Sequence, residues 1–124
     1  MADVLLVEDE ADVAELVQEA LEEAGLTVAV VHNDQGAYER LEREARSFTT
    51  LVADINLGAG TTGFDVARRA RALNPDLKVV YITGHAAHLD RFGVEDALMF
   101  PKPFDPVELA DQVTMIMGRA RRRA

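Results

Sequence analysis

The strongest constraint on the fold is a repeated alternation between apolar runs of strand length and segments with helical periodicity. Five runs predict strands over Val4–Val7, Val28–Val31, Thr50–Ala53, Val79–Ile82 and Ala97–Phe100. Between the first two, apolar residues recur at i, i+3 and i+4, namely Val13, Leu16, Val17, Ala20, Leu21 and Ala24. Strands that are apolar on both faces and separated by amphipathic helices require a parallel sheet covered on both sides.

Boundary residues divide the chain into five strand–helix units. Gly25 predicts a left-handed stop for the first helix, and Asn74-Pro75 closes the third. Asp105-Pro106 predicts an N-cap and a proline in the first turn of the last helix. A shorter, weaker helix is predicted over His85–Phe92. The apolar faces of the second, third and last helices comprise Ala37, Leu41, Ala45 and Phe48; Val66, Ala70 and Leu73; and Leu109, Val113, Ile116 and Met117.

These units predict an α/β flavodoxin-like (βα)5 fold, a doubly wound parallel sheet with strand order 2-1-3-4-5. Pro101 offers a test of this order, because proline removes a backbone donor and is tolerated on edge strands but not in central ones. Strand five is an edge strand in the predicted order. The two inferences therefore agree.

Length and composition exclude several classes of protein. A chain of 124 residues suffices for one domain with a real core and is too short for a second folded unit. Zero cysteines exclude a disulfide framework and thiolate-rich zinc sites. No apolar run approaches the roughly 20 residues that cross a bilayer, and no signal-like segment opens the chain. The net charge of -9 argues against nucleic acid or an anionic membrane as the main partner. We expect a soluble cytoplasmic protein.

The C-terminal end carries a basic cluster of four arginines. We place the folded domain at residues 1–118 and a short basic tail at residues 119–124. The arginines of the tail are interpreted as a helix end, where cations complement the helix dipole, rather than as a nucleic-acid arm. No function is assigned to them.

Polar residues stand where four of the strands meet their loops. Glu8 and Asp9 follow the first strand, Asp54 the third, Thr83 the fourth and Lys102 the fifth. Because the carboxyl ends of parallel strands lie on one edge, these side chains are expected to converge in the crevice between strands one and three. Carboxylates, a hydroxyl and an ammonium suit a divalent cation and a phosphoryl group.

Four segments around these residues resemble the motifs of receiver domains of two-component response regulators. They are Val4–Glu10, Leu51–Asn56, Tyr81–Gly84 and Lys102–Phe104. Each motif is weak alone, but four in the right order, at the right strand ends and at receiver-like intervals are specific. The resemblance covers nearly the whole chain. A chemotaxis member of this family has the flavodoxin-like strand order. The agreement between the predicted strand order and the family is therefore not independent of the resemblance.

The resemblance implies that Asp54 is the phosphoacceptor, which attacks a phosphohistidine and becomes an acyl phosphate. It also implies a site for Mg²⁺ or Mn²⁺. The ligands would be Asp9, Asp54, the backbone carbonyl of Asn56 and, through a water molecule, Glu8.

The resemblance further implies how the phosphoryl group is held and sensed. Lys102 pairs with a phosphoryl oxygen, and the Thr83 hydroxyl donates a hydrogen bond to the attached group. The Lys102-Pro103 bond is expected to be cis. Thr83 and Met99 are the expected switch residues. Met99 stands where the family usually has an aromatic ring, and a flexible thioether predicts a softer response.

The loop after Asp54 contains a pattern that could be mistaken for a nucleotide site. Gly58–Gly63 spells G-x-G-x-x-G between a strand and a helix, but it follows the third strand and comes soon after the Asp54 charge. We interpret these glycines as a flexible loop around a phosphorylated aspartate. The loop also departs from the family, which usually has Met-Pro at Leu57-Gly58. His32, His85 and His88 lack ligand spacing and are not expected to bind metal.

The leading hypothesis is a stand-alone receiver in a two-component phosphorelay. Its donor would be a histidine kinase or a histidine phosphotransfer protein, and its output an unknown downstream protein; whether it forms a homodimer stays open. It would catalyse only its own phosphotransfer and dephosphorylation, so it is not classed as an enzyme. The alternative is a phosphorylation-independent interaction module with the receiver fold, motivated by Met99 and the irregular loop. A haloacid dehalogenase-type phosphatase normally requires a second aspartate where Asn56 stands.

Overall fold

The computed structural model describes residues 2–56, 62–83 and 96–123. Five parallel strands form one sheet in the order β2-β1-β3-β4-β5, which confirms the predicted fold and strand order. The strands are β1 (Val4–Val7), β2 (Val28–Val31), β3 (Thr50–Asp54), β4 (Lys78–Thr83) and β5 (Leu98–Pro101). The helices within these ranges are α1 (Ala11–Glu23), α2 (Asp34–Glu44), α3 (Gly63–Leu73) and α4 (Pro106–Arg123). The helix predicted over residues 85–92 lies outside the described residues.

Helices cover both faces of the sheet, and alternate strand residues supply the two cores. In β1, Leu5 and Val7 face one core and Val4 and Leu6 the other, and all four are fully buried. The first core includes buried residues of α2 and α3, whereas the second includes those of α1 and α4. This two-sided burial explains why the strands read as continuous apolar runs in the sequence.

The helix boundaries follow the chemistry of their capping residues. Gly25, after α1, has a φ of 91°, the left-handed conformation predicted for it. The Asp105 carboxylate accepts a hydrogen bond from the backbone N–H of Val107 at 2.9 Å, as expected for an N-cap. The last helix continues through the basic tail to Arg123. None of the helices within the described ranges is long and apolar enough to span a lipid bilayer.

The end of the second helix differs from the prediction. Helix α2 ends at Glu44, a 3₁₀ turn follows over Ala45–Ser47, and Phe48 lies beyond it. The prediction that Phe48 belongs to the helical face is therefore wrong, because the tighter turn rotates the chain before that residue. Phe48 is nevertheless buried in the core that contains α2 and α3. The apolar character of Phe48 correctly predicts its burial, whereas the predicted second helix extends too far along the chain.

Two strands are longer than predicted, and a third is shifted. Asp54 is the last residue of β3 and Thr83 the last of β4, so both side chains are fixed by the sheet rather than by a loop. Strand β5 includes Pro101, which pairs in register with Thr83. Because β5 lies at an edge, the missing backbone donor of Pro101 faces no further strand.

Candidate functional site

The site is built at the carboxyl edge of the three strands in the middle of the sheet. Asp54 ends β3 and pairs in register with Ile82 of β4, while Val7 of β1 pairs with Ala53. Glu8 follows β1 directly, and its backbone N–H donates to the Val31 carbonyl of β2 at 3.1 Å. The ladder therefore brings the end of the first strand beside the end of the third, as the sequence predicts.

Asp54 lies at the bottom of this crevice with only 2% of its surface exposed. Its Oδ2 is 2.9 Å from Lys102 Nζ, and its Oδ1 accepts a hydrogen bond from the Asn56 backbone N–H at 2.9 Å. Both oxygens are thus oriented by groups on the same edge. A buried, oriented carboxylate beside an ammonium is suited to act as a nucleophile toward an anionic substrate, because the cation offsets the charge of both.

Glu8 is fully buried, and among the described residues one of its oxygens has no donor. Oε1 accepts a hydrogen bond from the Glu10 backbone N–H at 3.1 Å. Oε2 has no hydrogen-bond partner among the described residues, and Lys102 Nζ is 3.7 Å away. Burial, and after it the neighbouring Asp54 carboxylate, raise the pKa of Glu8 to about 8, although the Glu10 backbone N–H and Lys102 oppose the rise. Two carboxylates are therefore crowded together without a full complement of positive charge.

Four carboxylates can turn an oxygen toward one point. One oxygen each from Glu8, Asp9, Glu10 and Asp54 lies within 4.8 Å of the others. Hard oxygen ligands at this spacing suit a magnesium-like cation, and the unpartnered Glu8 Oε2 supplies a buried acceptor for a metal-bound water. The residues present therefore fit the divalent cation that the resemblance implies.

Lys102 directly follows the edge strand β5, and its side chain reaches the carboxylates. Its ammonium is 2.9 Å from Asp54 Oδ2, 3.2 Å from Glu10 Oε1 and 3.7 Å from Glu8 Oε2. Partial burial lowers the pKa of Lys102, but the hydrogen bond and charge of Asp54 outweigh it, so the pKa lies above its usual value. The Lys102-Pro103 peptide bond is cis.

The remaining predicted residues lie at different distances from this centre. Thr83 is 4% exposed, and its carbonyl accepts the backbone N–H of Lys102 at 2.6 Å, which ties β4 to the segment carrying the lysine. Asn56 contacts Asp54 through its N–H. Met99 is half-buried in β5, pairs in register with Tyr81, and packs against the core on the α2 and α3 side. It belongs to the core rather than to the carboxylate centre.

Gly63, the first residue of α3, has a role that the sequence interpretation did not identify. A Cβ atom there would lie 2.3 Å from the Asp54 carbonyl oxygen and 2.9 Å from the Ile55 Cα. The Gly63 N–H donates to the Ile55 carbonyl at 3.0 Å. This glycine is needed for the close approach of helix and strand, so the interpretation as loop flexibility is wrong at this position. Residues 57–61 lie outside the described residues.

Two further residues reach the centre although sequence reasoning assigned them no role there. The His32 Nδ1 lies 3.0 Å from the Glu8 carbonyl oxygen, close to the first acidic segment. Glu10 contacts Lys102, a residue distant in sequence. The signal for Glu10 was its place in the run Glu8-Asp9-Glu10, but adjacency alone does not reveal which acid meets the lysine.

Comparison with known proteins gives a consistent result. The sequence model described as Response regulator receiver domain matches residues 4–114. The response regulator receiver protein CpdR of Brucella abortus (strain 2308) is 37% identical over 120 residues, which cover 94% of this chain and 98% of CpdR.

Solved structures agree with these sequence matches. A response regulator receiver protein from Sinorhizobium medicae WSM419 has a TM-score of 0.86 and 33% identity, with 93% of each chain covered. The response regulator TrrA from Thermotoga maritima, solved with Mg²⁺ and BeF, has a TM-score of 0.80 and 25% identity, covering 93% of this chain and 98% of TrrA.

Proposed function

The chain belongs to the response regulator receiver domain family, and we propose that it accepts a phosphoryl group on Asp54 from a histidine kinase or a histidine phosphotransfer protein. The observation that supports this most directly is the buried Asp54 carboxylate, 2.9 Å from the Lys102 ammonium and beside the carboxylates of Glu8 and Asp9. Phosphorylation would change the protein at one side chain only. We therefore propose that its effect is passed on through contacts with other proteins.

In the proposed reaction, a carboxylate oxygen of Asp54 forms a bond to the phosphorus of a phosphohistidine. The bond from phosphorus to the imidazole nitrogen breaks, its electron pair stays on that nitrogen, and the nitrogen takes a proton. The product is an acyl phosphate on Asp54. The Asn56 N–H keeps the carboxylate oriented, since it donates to Oδ1.

Lys102 and Thr83 would act on the phosphoryl oxygens. The Lys102 ammonium already touches the carboxylate that gains the group, so a short movement would bring it to a phosphoryl oxygen. Thr83 ends the neighbouring strand and would donate its hydroxyl hydrogen to the attached group. A phosphoryl group adds about two negative charges, which biases both side chains toward Asp54.

We further propose that Asp9, Asp54, the Asn56 carbonyl and, through water, Glu8 hold Mg²⁺ or Mn²⁺. A cation held by these residues would supply positive charge that offsets the clustered carboxylates and the phosphoryl oxygens. The support is the all-oxygen donor set and the unpartnered buried oxygen of Glu8.

The output is proposed to pass through Thr83 and Met99. The Thr83 carbonyl is bonded to the backbone of Lys102, so a movement of Thr83 toward the phosphate would pull on β5. Met99 lies in that strand against the core, where a flexible thioether can repack. The phosphate would thereby shift an existing equilibrium of this surface toward the form that binds a downstream protein.

The test uses the purified chain with Mg²⁺ and either acetyl phosphate or a phosphohistidine donor. Mass spectrometry should show one added phosphate that survives acid and is lost in base, as expected of an acyl phosphate. Asp54→Asn should add none, whereas Asp76→Asn, at an exposed aspartate outside the cluster, should behave as wild type. Undiminished labelling of Asp54→Asn would refute the assignment, and partner binding indifferent to Mg²⁺ and to Asp54→Asn would favour the phosphorylation-independent module.

A further inference from the structure

The ammonium of Lys102 is shared between a buried and an exposed carboxylate. Asp54 Oδ2 holds it at 2.9 Å from inside the crevice, and Glu10 Oε1 holds it at 3.2 Å from the rim. The Glu10 side chain is 62% exposed, against 3% for Asp54. Glu10 is therefore the solvent-exposed partner of the lysine, and Asp54 is its buried partner.

The backbone hydrogen bonds around Glu10 leave its side chain free to contact Lys102. Glu10 is the N-cap residue of α1, but its carboxylate makes no capping hydrogen bond, so the side chain is not engaged by its own helix. Its N–H is held by Glu8 Oε1 at 3.1 Å. The buried Glu8 thus fixes the main chain of Glu10, and the Glu10 carboxylate is left to meet Lys102.

We propose that Glu10 is a positioning residue that holds Lys102 at the rim of the site and slows phosphorylation of Asp54 by small dianionic donors. This inference rests on the proposed function of Asp54. Its consequence is a preference for a protein donor over small phosphorylated metabolites. A protein can bring cationic groups of its own to Glu10, whereas a small dianion meets the carboxylate alone.

Electrostatics sets the size of the effect. A phosphoryl dianion bound to Lys102 would lie a few ångströms beyond the ammonium, and Glu10 would repel it while competing for the same cation. In a water-like dielectric, the repulsion between a donor of two negative charges and the single charge of Glu10, at about 6–8 Å, slows the reaction by roughly 3- to 10-fold. The effect should scale with donor charge and shrink with added salt, since the Glu10 side chain is exposed.

The experiment compares Glu10→Gln with wild type in Mg²⁺, using acetyl phosphate and phosphoramidate. In both reactions an Asp54 oxygen forms the bond to phosphorus; acetate leaves with the electron pair of the P–O bond, or ammonia with that of the P–N bond after protonation. We expect Glu10→Gln to react roughly 3- to 10-fold faster with dianionic acetyl phosphate and only about twofold faster with monoanionic phosphoramidate. Both gains should fall as salt is raised to about 1 M.

Matched variants separate this role from a structural one. Glu10→Asp keeps the charge and should restore slow phosphorylation, and Glu15→Gln, which removes an exposed charge further along α1, should leave the rates unchanged. Magnesium affinity measured by calorimetry should fall less in Glu10→Gln than in Asp9→Asn, because Asp9 is a proposed ligand of the cation whereas the proposed partner of Glu10 is Lys102.

Equal gains with both donors, no gain, or a slower reaction would overturn the inference. A loss of magnesium affinity as large as that of Asp9→Asn would also overturn it, because Glu10 would then act mainly on the cation. These failures leave the proposed function intact as long as wild type is phosphorylated at Asp54. A wild-type chain that takes no phosphate at Asp54 would instead overturn the proposed function and this inference together.

Discussion

The carboxylates at the amino edge and at the carboxyl edge of the sheet lie in opposite environments. At the amino edge, Asp3 Oδ2 accepts hydrogen bonds from the Thr27 hydroxyl at 3.0 Å and the Thr27 N–H at 3.3 Å. The Asp3 carbonyl also accepts the Thr49 N–H at 2.8 Å. At the carboxyl edge, Glu8 and Asp54 are buried beside each other and share one ammonium, that of Lys102.

The difference separates a hydrogen-bonded network from the network to which we assign the phosphoacceptor. The Asp3 carboxylate accepts neutral donors of Thr27 in a solvent-exposed setting, so its charge costs the fold little. The carboxyl edge instead keeps like charges close, and it would gain from any added cation or from a proton on Glu8. The proposed reaction thus lies where like charges are crowded, and the amino edge is where the carboxylate has its hydrogen bonds.

The largest effect is expected from Gly63→Ala, which forces a Cβ against the backbone of Asp54. We expect a loss of about 3 kcal/mol in the free energy of unfolding, together with slower phosphorylation, since the obstructing atoms are main-chain atoms. Gly118→Ala in α4 is the matched control, because a Cβ there meets nothing within 4 Å and alanine favours a helix. Chemical denaturation measures both, and equal outcomes would show that the close approach at Asp54 is unimportant.

The second effect is a pH dependence that belongs to the carboxyl edge. The pKa of Glu8 is about 8 in the folded chain against an ordinary 4.5, so between these values the folded state holds a proton that the unfolded state has released. This contribution is complete below pH 4.5 and is lost as the pH rises through 8. Thermal unfolding in EDTA should show the stability of wild type falling by roughly 2 kcal/mol more than that of Glu8→Gln between pH 5 and 6.5. Parallel curves for the two proteins would contradict it.

A smaller effect is expected from magnesium itself. At a magnesium concentration tenfold above the dissociation constant, the free energy of unfolding of wild type should rise by about 1.4 kcal/mol. Asp9→Asn should lose most of this gain, because it removes one proposed ligand. Calcium-free buffers with and without Mg²⁺, followed by thermal melting, provide the measurement. A full gain in Asp9→Asn would remove Asp9 from the proposed site.

The smallest effect is expected at the amino edge. Thr27→Val removes the hydroxyl that bonds Asp3 and should cost about 1 kcal/mol, with no dependence on Mg²⁺. Thr114→Val is the control, since the Thr114 hydroxyl bonds only the carbonyl one turn back in its own helix at 2.8 Å. A magnesium-dependent loss in Thr27→Val would show that the two edges are energetically coupled rather than independent.

Much of the fold could be predicted because its causes are local or periodic. The apolar runs gave the strands, Gly25 gave the end of α1, and Asp105 gave the start of α4. The errors came at boundaries, where weak local preferences compete with packing. Phe48 has the spacing of a helical residue, yet the chain turns before it and buries its ring anyway.

The candidate site was also largely predictable, since strand ends collect on one edge of a parallel sheet. Asp9, Asp54 and Lys102 were identified in this way, and the structure brings their side chains into one cluster. The contact of Glu10 with Lys102 and the fit of Gly63 against Asp54 were not predicted. Both depend on distances across the fold, which no short motif encodes.

By itself, the amino-acid sequence determined the order of the strands and the identity of the chemical groups at their ends, because periodicity and residue type act along the chain. Only the tertiary structure decided which carboxylate shares the lysine, which acid is buried without a donor, and where a glycine is indispensable. The physical reason is that charge interaction and steric contact fall off over a few ångströms. They are settled by positions in space rather than by positions in sequence.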